Sequence, residues 1–172
     1  MIIEKNLPQF NQEKAILIVA GDQTAKIFFA YKSELKELEQ IVIPTQSYSD
    51  REGSFGRKIK GDAIGPGAVY EKSKNEVQNK FTKQLAGLID ELYKKIKFDS
   101  VYLFSPDYMN KEIYSVFSKK ISSLVKIKLK GNFVDRHPFI LLRMLKKEID
   151  KVYSSSLLAE DEAKKLLDKN IE

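Results

Sequence analysis

Apolar and polar residues alternate along this chain in two rhythms, and the change from one to the other divides it. A-I-L-I-V-A (Ala15 to Ala20) is an unbroken apolar, β-branched run, which predicts a strand buried on both faces. Gly21-Asp22 reads as a hairpin turn, and T-A-K-I-F-F-A-Y (Thr24 to Tyr31) as a second strand rich in β-formers. Lys32-Ser33-Glu34 turns the chain again. A third strand, weaker at first, ends in Q-I-V-I (Gln40 to Ile43), where Pro44 stops it. Turns this short make the three an antiparallel meander. The residues before them, Met1 to Gln12, are mixed and hold Pro8, and predict an irregular lead-in.

From Asp50 to Glu71 periodicity disappears. This stretch holds five of the eight glycines and few apolar residues to pin it, so it reads as a long loop with Gly65-Pro66-Gly67 as a turn. Loops of this length inside a compact domain are uncommon and are usually functional or disordered, and this one reads as the carrier of function. The helical rhythm begins after it. Ser73 and Glu76 form an S-x-x-E capping box, which predicts a helix start there. Val77, Phe81, Leu85, Leu88, Ile89, Leu92 and Ile96 then make one apolar stripe at the helical period. S-V-Y-L-F (Ser100 to Phe104) is a fourth, buried strand. Ser105 as N-cap and Pro106 at the first position open a second helix, with Met109, Ile113, Val116, Phe117 and Ile121 facing inward. Val125, Ile127 and Leu129 alternate with Lys126, Lys128 and Lys130, the pattern of a strand at a sheet edge that lysines keep from pairing further. After a short loop, Gly131 to Arg136, Pro138 begins a third helix along Phe139, Leu142, Leu145, Ile149 and Val152. Ser154-Ser155-Ser156 interrupts it. The tail predicts a fourth helix whose narrow face, Leu158, Ala159, Leu166 and Leu167, has to pack on the domain or on a second copy.

The element order is thus three strands, a loop, then helix and strand alternating. Helical crossovers pair strands in parallel and run right-handed. The expected fold is α/β: a ribonuclease-H-like mixed five-stranded sheet, three antiparallel strands extended by two parallel ones in the order 3-2-1-4-5, with helices on its faces. The expected organisation is one domain over residues 1–153 and a helical tail over 154–172.

Charge sharpens the reading of the loop. The chain carries a net +6, and between Arg51 and Lys83 eight basic residues face four acids. Clustered positive charge draws polyanions, nucleic acid first among them. Glycines beside Arg57, Lys58 and Lys60 let backbone approach a phosphate, and Phe55 and Tyr70 offer rings for a base. There is no cysteine, which excludes disulfides and thiolate chemistry. The single histidine, His137, directly precedes Pro138 and reads as a helix cap or a surface residue. Asp22 suits a turn, and no acid lies within S-V-Y-L-F to partner it on two metals. G-D-A-I-G-P-G does not have the spacing of a P-loop. Met1 to Phe10 carries Glu4 early and lacks the apolar run of a secretory signal, and no span of about 20 apolar residues predicts a membrane helix.

Four stretches carry a family resemblance: A-I-L-I-V-A-G-D-Q-T-A-K-I-F, D-R-E-G-S-F-G-R, E-V-Q-N-K-F-T-K-Q-L-A-G-L-I and F-D-S-V-Y-L-F-S-P. Together they resemble the bacterial host attachment proteins, which are thought to be related to the middle domain of archaeal and eukaryotic class-1 release factors and of Pelota. The resemblance spans about Lys14 to Leu145 and implies that domain's fold and a partner in translation. In the release factors, the loop before the long helix carries a Gly-Gly-Gln tripeptide that supports ester hydrolysis. The equivalent segment here, Asp50 to Lys72, has none, its nearest glutamines being Gln46 and Gln78, and the histidine usual in the attachment-protein loop is also missing.

Residues and resemblance together lead to a non-catalytic, translation-associated module that binds ribosomal RNA or tRNA. Its candidate contacts are Arg51, Arg57, Lys58, Lys60, Gly65 and Gly67, with no cofactor and no metal. A protein-interaction or host-attachment factor is the alternative, and a peptidyl-tRNA ester hydrolase a third reading. The expected setting is the cytoplasm, away from membranes, and the tail offers a route to a homo-oligomer.

Overall fold

The computed structural model describes residues 1–44 and 66–169, with side chains over 1–44 and 75–155. Five strands form one sheet: β1 (Ala15–Ala20), β2 (Thr24–Tyr31), β3 (Glu34–Val42), β4 (Ser100–Ser105) and β5 (Val125–Lys130), in the order β3-β2-β1-β4-β5. β1 pairs antiparallel with β2, and β2 with β3; β1–β4 and β4–β5 are parallel. The expected α/β sheet, its order and its mixed sense are those observed. The helices are α1 (Pro66–Ile96), α2 (Asp107–Val116), α3 (Lys119–Leu124) and α4 (Pro138–Lys169).

Every residue of β1 and of β4 is buried. Alternate side chains supply two separate cores. Ile16, Ile18 and Ala20 meet Phe81, Leu85 and Ile89 of α1, Met109 and Ile113 of α2, and Ile121 of α3. Ala15, Leu17 and Val19 meet Leu141, Leu142 and Leu145 of α4. The lead-in closes the second core with Ile3, Leu7 and Phe10. Each such side chain contributes about 1.5–3 kcal/mol on burial. The lead-in is irregular as expected, held by an isolated bridge between Ile2 and Glu34 and by Ile3 N donating to Ser33 O at 2.7 Å. The β2–β3 turn is a two-residue hairpin with Lys32 and Ser33 both at positive φ, the geometry that matches strand twist.

Five expectations are corrected. The long helix begins at Pro66, not at Ser73, so residues 66–71 belong to α1 and Ser73 and Glu76 lie inside it. Pro66 occupies the first helical position, where its fixed φ suits the start and no amide is lost. Ser105 is the last residue of β4 rather than a cap; Pro106 is the N-cap of α2 and makes no side-chain cap bond. The second helix is two helices. Phe117 is extended, and Ser118 caps α3 by accepting from Ile121 N at 3.4 Å, so Phe117 and Ile121 both stay buried across the break. Finally, Ser154 to Ser156 do not interrupt α4. Ser154 Oγ donates to Asp150 O and Ser155 Oγ to Val152 O, satisfying the hydroxyls within the helix. Val152, expected inside, is 57 % exposed.

Two glycines give opposite expectations. Gly131 follows β5 at φ 149°, and a Cβ there would sit 2.6 Å from the Phe133 ring. Gly131→Ala should lower stability by about 1–3 kcal/mol. Gly87 lies on the exposed face of α1 with nothing within 4 Å of a new Cβ. Gly87→Ala should raise stability by about 0.5–1 kcal/mol. Urea unfolding of both variants measures the two shifts; equal signs would contradict this account of the backbone.

Candidate functional site

Parallel strands put their carboxyl ends on one side, and in open α/β sheets ligands bind at that side where strand order reverses. Here β1 and β4 end together, followed by the turn Gly21–Gln23 and by the start of α2. α1 packs antiparallel to β4, which it precedes, and its Val77 and Gln78 reach this end. Asp22, Gln23, Val77, Gln78 and Tyr108 line a small cleft of about 40 Å³. On the other side of the turn, Gly21, Asp22, Gln23, Lys26, Asn132 and Asp135 are among the residues around a hollow of about 550 Å³. Gly21 is required there, because a Cβ would meet Val134 Cγ2 at 2.9 Å and push away the loop after β5.

Asp22 stands between the two spaces, and the Tyr108 hydroxyl donates to its Oδ1. That hydrogen bond to the carboxylate, helped by partial burial and the negative charge, pushes the Tyr108 phenol up to about 12. A phenol held protonated is a donor, not a nucleophile or a base near neutral pH. Asp107 of α2 is paired with Lys130 of β5 at 2.8 Å. Gln78 donates to Met109 Sδ. Ser105 Oγ and Asn110 Nδ2 are buried with no hydrogen-bond partner among the described residues. Among those residues no group of three His, Cys, Asp or Glu side chains is placed to hold a metal ion. The arrangement offers hydrogen bonds and positioning.

A larger groove, about 830 Å³, lies at the opposite pole, where β1 and β5 begin and α4 passes the sheet. Tyr102 and Lys126 both donate to Glu13 there, at 2.9 and 2.8 Å. Burial, then the Glu13 charge, raises the Tyr102 phenol well above its ordinary value.

Of the sequence-predicted contacts, Arg51, Arg57, Lys58, Lys60 and Gly65 lie outside the described residues, as does the expectation of a loosely held loop over most of its length. Gly67 is the second residue of α1. His137 is exposed and its Nδ1 accepts from Phe139 N at 3.3 Å, so it caps α4. Sequence reasoning missed Tyr108, Gln23, Asn132 and Asp135. The signal was available in the strand order: once β1 and β4 are neighbours and parallel, the residues just after each must meet. No helix among the described residues is long and apolar enough to cross a membrane.

No family model matches the chain, and no curated protein matches it in sequence. Solved structures do. An archaeal translation termination factor is 11 % identical over 86 % of this chain, with a TM-score of 0.43. Archaeal Pelota, in a ribosome-bound model, is 16 % identical over 85 % with a TM-score of 0.46, and a further archaeal protein is 12 % identical over 86 % with 0.39. The chain spans 41 %, 36 % and 40 % of those three chains. Likeness at this level says nothing of this chain's activity.

The Asp22–Tyr108 pair is open to titration. A raised phenol pKa means the contact stabilises the protonated form; its contribution is complete below about pH 10 and is lost as pH rises towards 12. In Asp22→Asn the Tyr108 pKa should fall back towards 10, followed by carbon NMR of labelled tyrosine with Tyr108→Phe for assignment. An unmoved Tyr108 pKa in Asp22→Asn would remove Asp22 as its cause.

Proposed function

We propose that this chain is a translation-associated module that contacts ribosomal RNA or tRNA through the basic segment between β3 and α1. The observation that carries this reading is where that segment is anchored. It leaves the sheet after β3 and rejoins the fold at Pro66, the first residue of α1. Val77 of α1 lies at the end of the sheet, where it lines the cleft with Asp22. α1 starts 11 residues earlier, so about 16 Å of helix, at about 1.5 Å per residue, lies between its tip and Val77. Arg51, Arg57, Lys58 and Lys60 precede that tip in sequence, and Gly65 and Gly67 flank its proline. Basic side chains supply phosphate contacts and glycines let backbone come close to them. The reading sets the chain beside the bacterial host attachment proteins and in the cytoplasm. It assigns no ester hydrolysis, since the segment has no Gly-Gly-Gln.

Binding through phosphates is electrostatic and weakly sequence-selective. For a single strand, the slope of log K against log salt is about −0.7 per phosphate neutralised, so four basic residues give a slope near −3. Changing Arg57, Lys58 and Lys60 together to alanine should flatten it by about 2 while leaving thermal unfolding in place, because exposed charge pairs are worth about 0–1 kcal/mol. Ribosome co-sedimentation and RNA binding across a salt series provide the measurement. An unchanged slope removes the segment as the contact, and no binding by the wild type at low salt removes the nucleic-acid reading.

A further inference from the structure

We infer that the end of α1 is a second phosphate-contact surface: Lys97 and Lys120, both held over the Tyr93 ring, receive the backbone of the RNA bound by this chain. The choice of RNA as occupant rests on the function proposed above. The surface itself is separate from the basic segment, which joins α1 at its other end.

α1 ends at Ile96, and Lys97 closes it, its amide donating to Tyr93 O at 3.0 Å. The φ of Lys97 is 54°, the left-handed conformation that at a helix end usually falls to glycine. A lysine in that conformation costs stability, and what it gains is a position. Lys97 Nζ lies 5.1 Å from the centroid of the Tyr93 ring. Lys120 of α3 reaches the same ring, with its Nζ at 4.6 Å. Lys119 and Lys120 stand in the first turn of α3, where a helix favours acids and here has none. Two local preferences are thus set aside to bring cations to one ring, and departures of this kind gather where a protein works.

Tyr93 is itself fixed. Phe98, which is 2 % exposed, meets it edge-on at 5.0 Å and 89°. An aromatic ring attracts an ammonium group without cancelling its charge or accepting its strong hydrogen bonds. A carboxylate does both, as Glu13 does for Lys126 and Asp107 for Lys130. Neither Lys97 nor Lys120 pairs with a carboxylate among the described residues. Lys94, Lys95 and Lys119, all exposed, are their neighbours along the chain, against Asp90, Glu91 and Asp99. Two of those acids are already engaged: Asp90 accepts from Ser118 Oγ at 2.8 Å and Asp99 from Lys14 N at 2.9 Å. Cations positioned in advance, with charge and donors intact, suit a partner that brings a row of anions. A nucleic-acid backbone is such a partner, and it releases counterions as each phosphate is neutralised. Lys80 and Lys83, also exposed, offer it further contacts on the same helix.

Anisotropy of a labelled oligouridylate of about 20 nucleotides, read across a salt series on the full chain, tests the surface, with urea unfolding beside it. Lys97→Gly removes the cation and relieves the left-handed residue. It should therefore bind RNA more weakly while its urea midpoint holds or rises; a lower midpoint with unchanged binding would make Lys97 a residue of the fold alone and overturn its role. Lys97→Gly combined with Lys120→Gln should flatten the slope of log K against log salt by about 1.4, at about 0.7 per phosphate. Tyr93→Leu should weaken binding at unchanged net charge, and Tyr93→Phe, which keeps the ring, should bind as the wild type does; equal binding by both would overturn the positioning by Tyr93. The triple change of Arg57, Lys58 and Lys60 to alanine is the separate arm. A slope flattened by the triple change and untouched by the Lys97 and Lys120 pair overturns this surface and leaves the basic segment standing. The converse overturns the segment and keeps the surface, and a wild type that binds no RNA at low salt overturns both.

Discussion

The constraint on which the rest depends is that β1 and β4 lie side by side with no residue of either exposed. A parallel pair buried on both faces admits no charged side chain and has to be covered twice. This is why the molecule has two cores rather than one. α1, α2 and α3 supply one cover; α4 and the lead-in supply the other. The pair is pinned where it begins. Lys14 N donates to Asp99 Oδ2 at 2.9 Å and Asp99 N to Lys14 O at 2.7 Å, which sets Ala15 against Ser100 and so fixes the register of the whole parallel half. A slip of one residue would exchange the two cores' side chains, turning Phe104 towards α1 and Leu103 towards α4.

The same constraint moves the chemistry outward. Because the strands are sealed, polar groups capable of contacts gather just past their ends, as Asp22 and Tyr108 do at one pole and Glu13 and Lys126 at the other. The long helices run between the same two poles: α1 ends beside the start of β4 and so comes from the carboxyl pole, and α4 begins after β5 and so runs towards the amino pole.

What the sequence makes legible follows the same division. The buried runs of β1 and β4, the stripe of α1 and the lysine alternation of β5 are set by burial of their own residues, and each reads directly from spacing. The start of α1, the break between α2 and α3 and the continuity of α4 depend on competition between local signals. Ser73 with Glu76 is a valid cap that an earlier Pro66 pre-empts. Ser118 acts as a cap because Phe117 and Ile121 must both face the core. Ser154 and Ser155 carry the same residue type as a break, yet they bond back inside the helix. The lead-in has no period at all, and its burial of Ile3, Leu7 and Phe10 rests entirely on the second core it closes. At the site, Asp22 was visible as a turn residue, while Tyr108 became meaningful only once strand order placed α2 beside that turn.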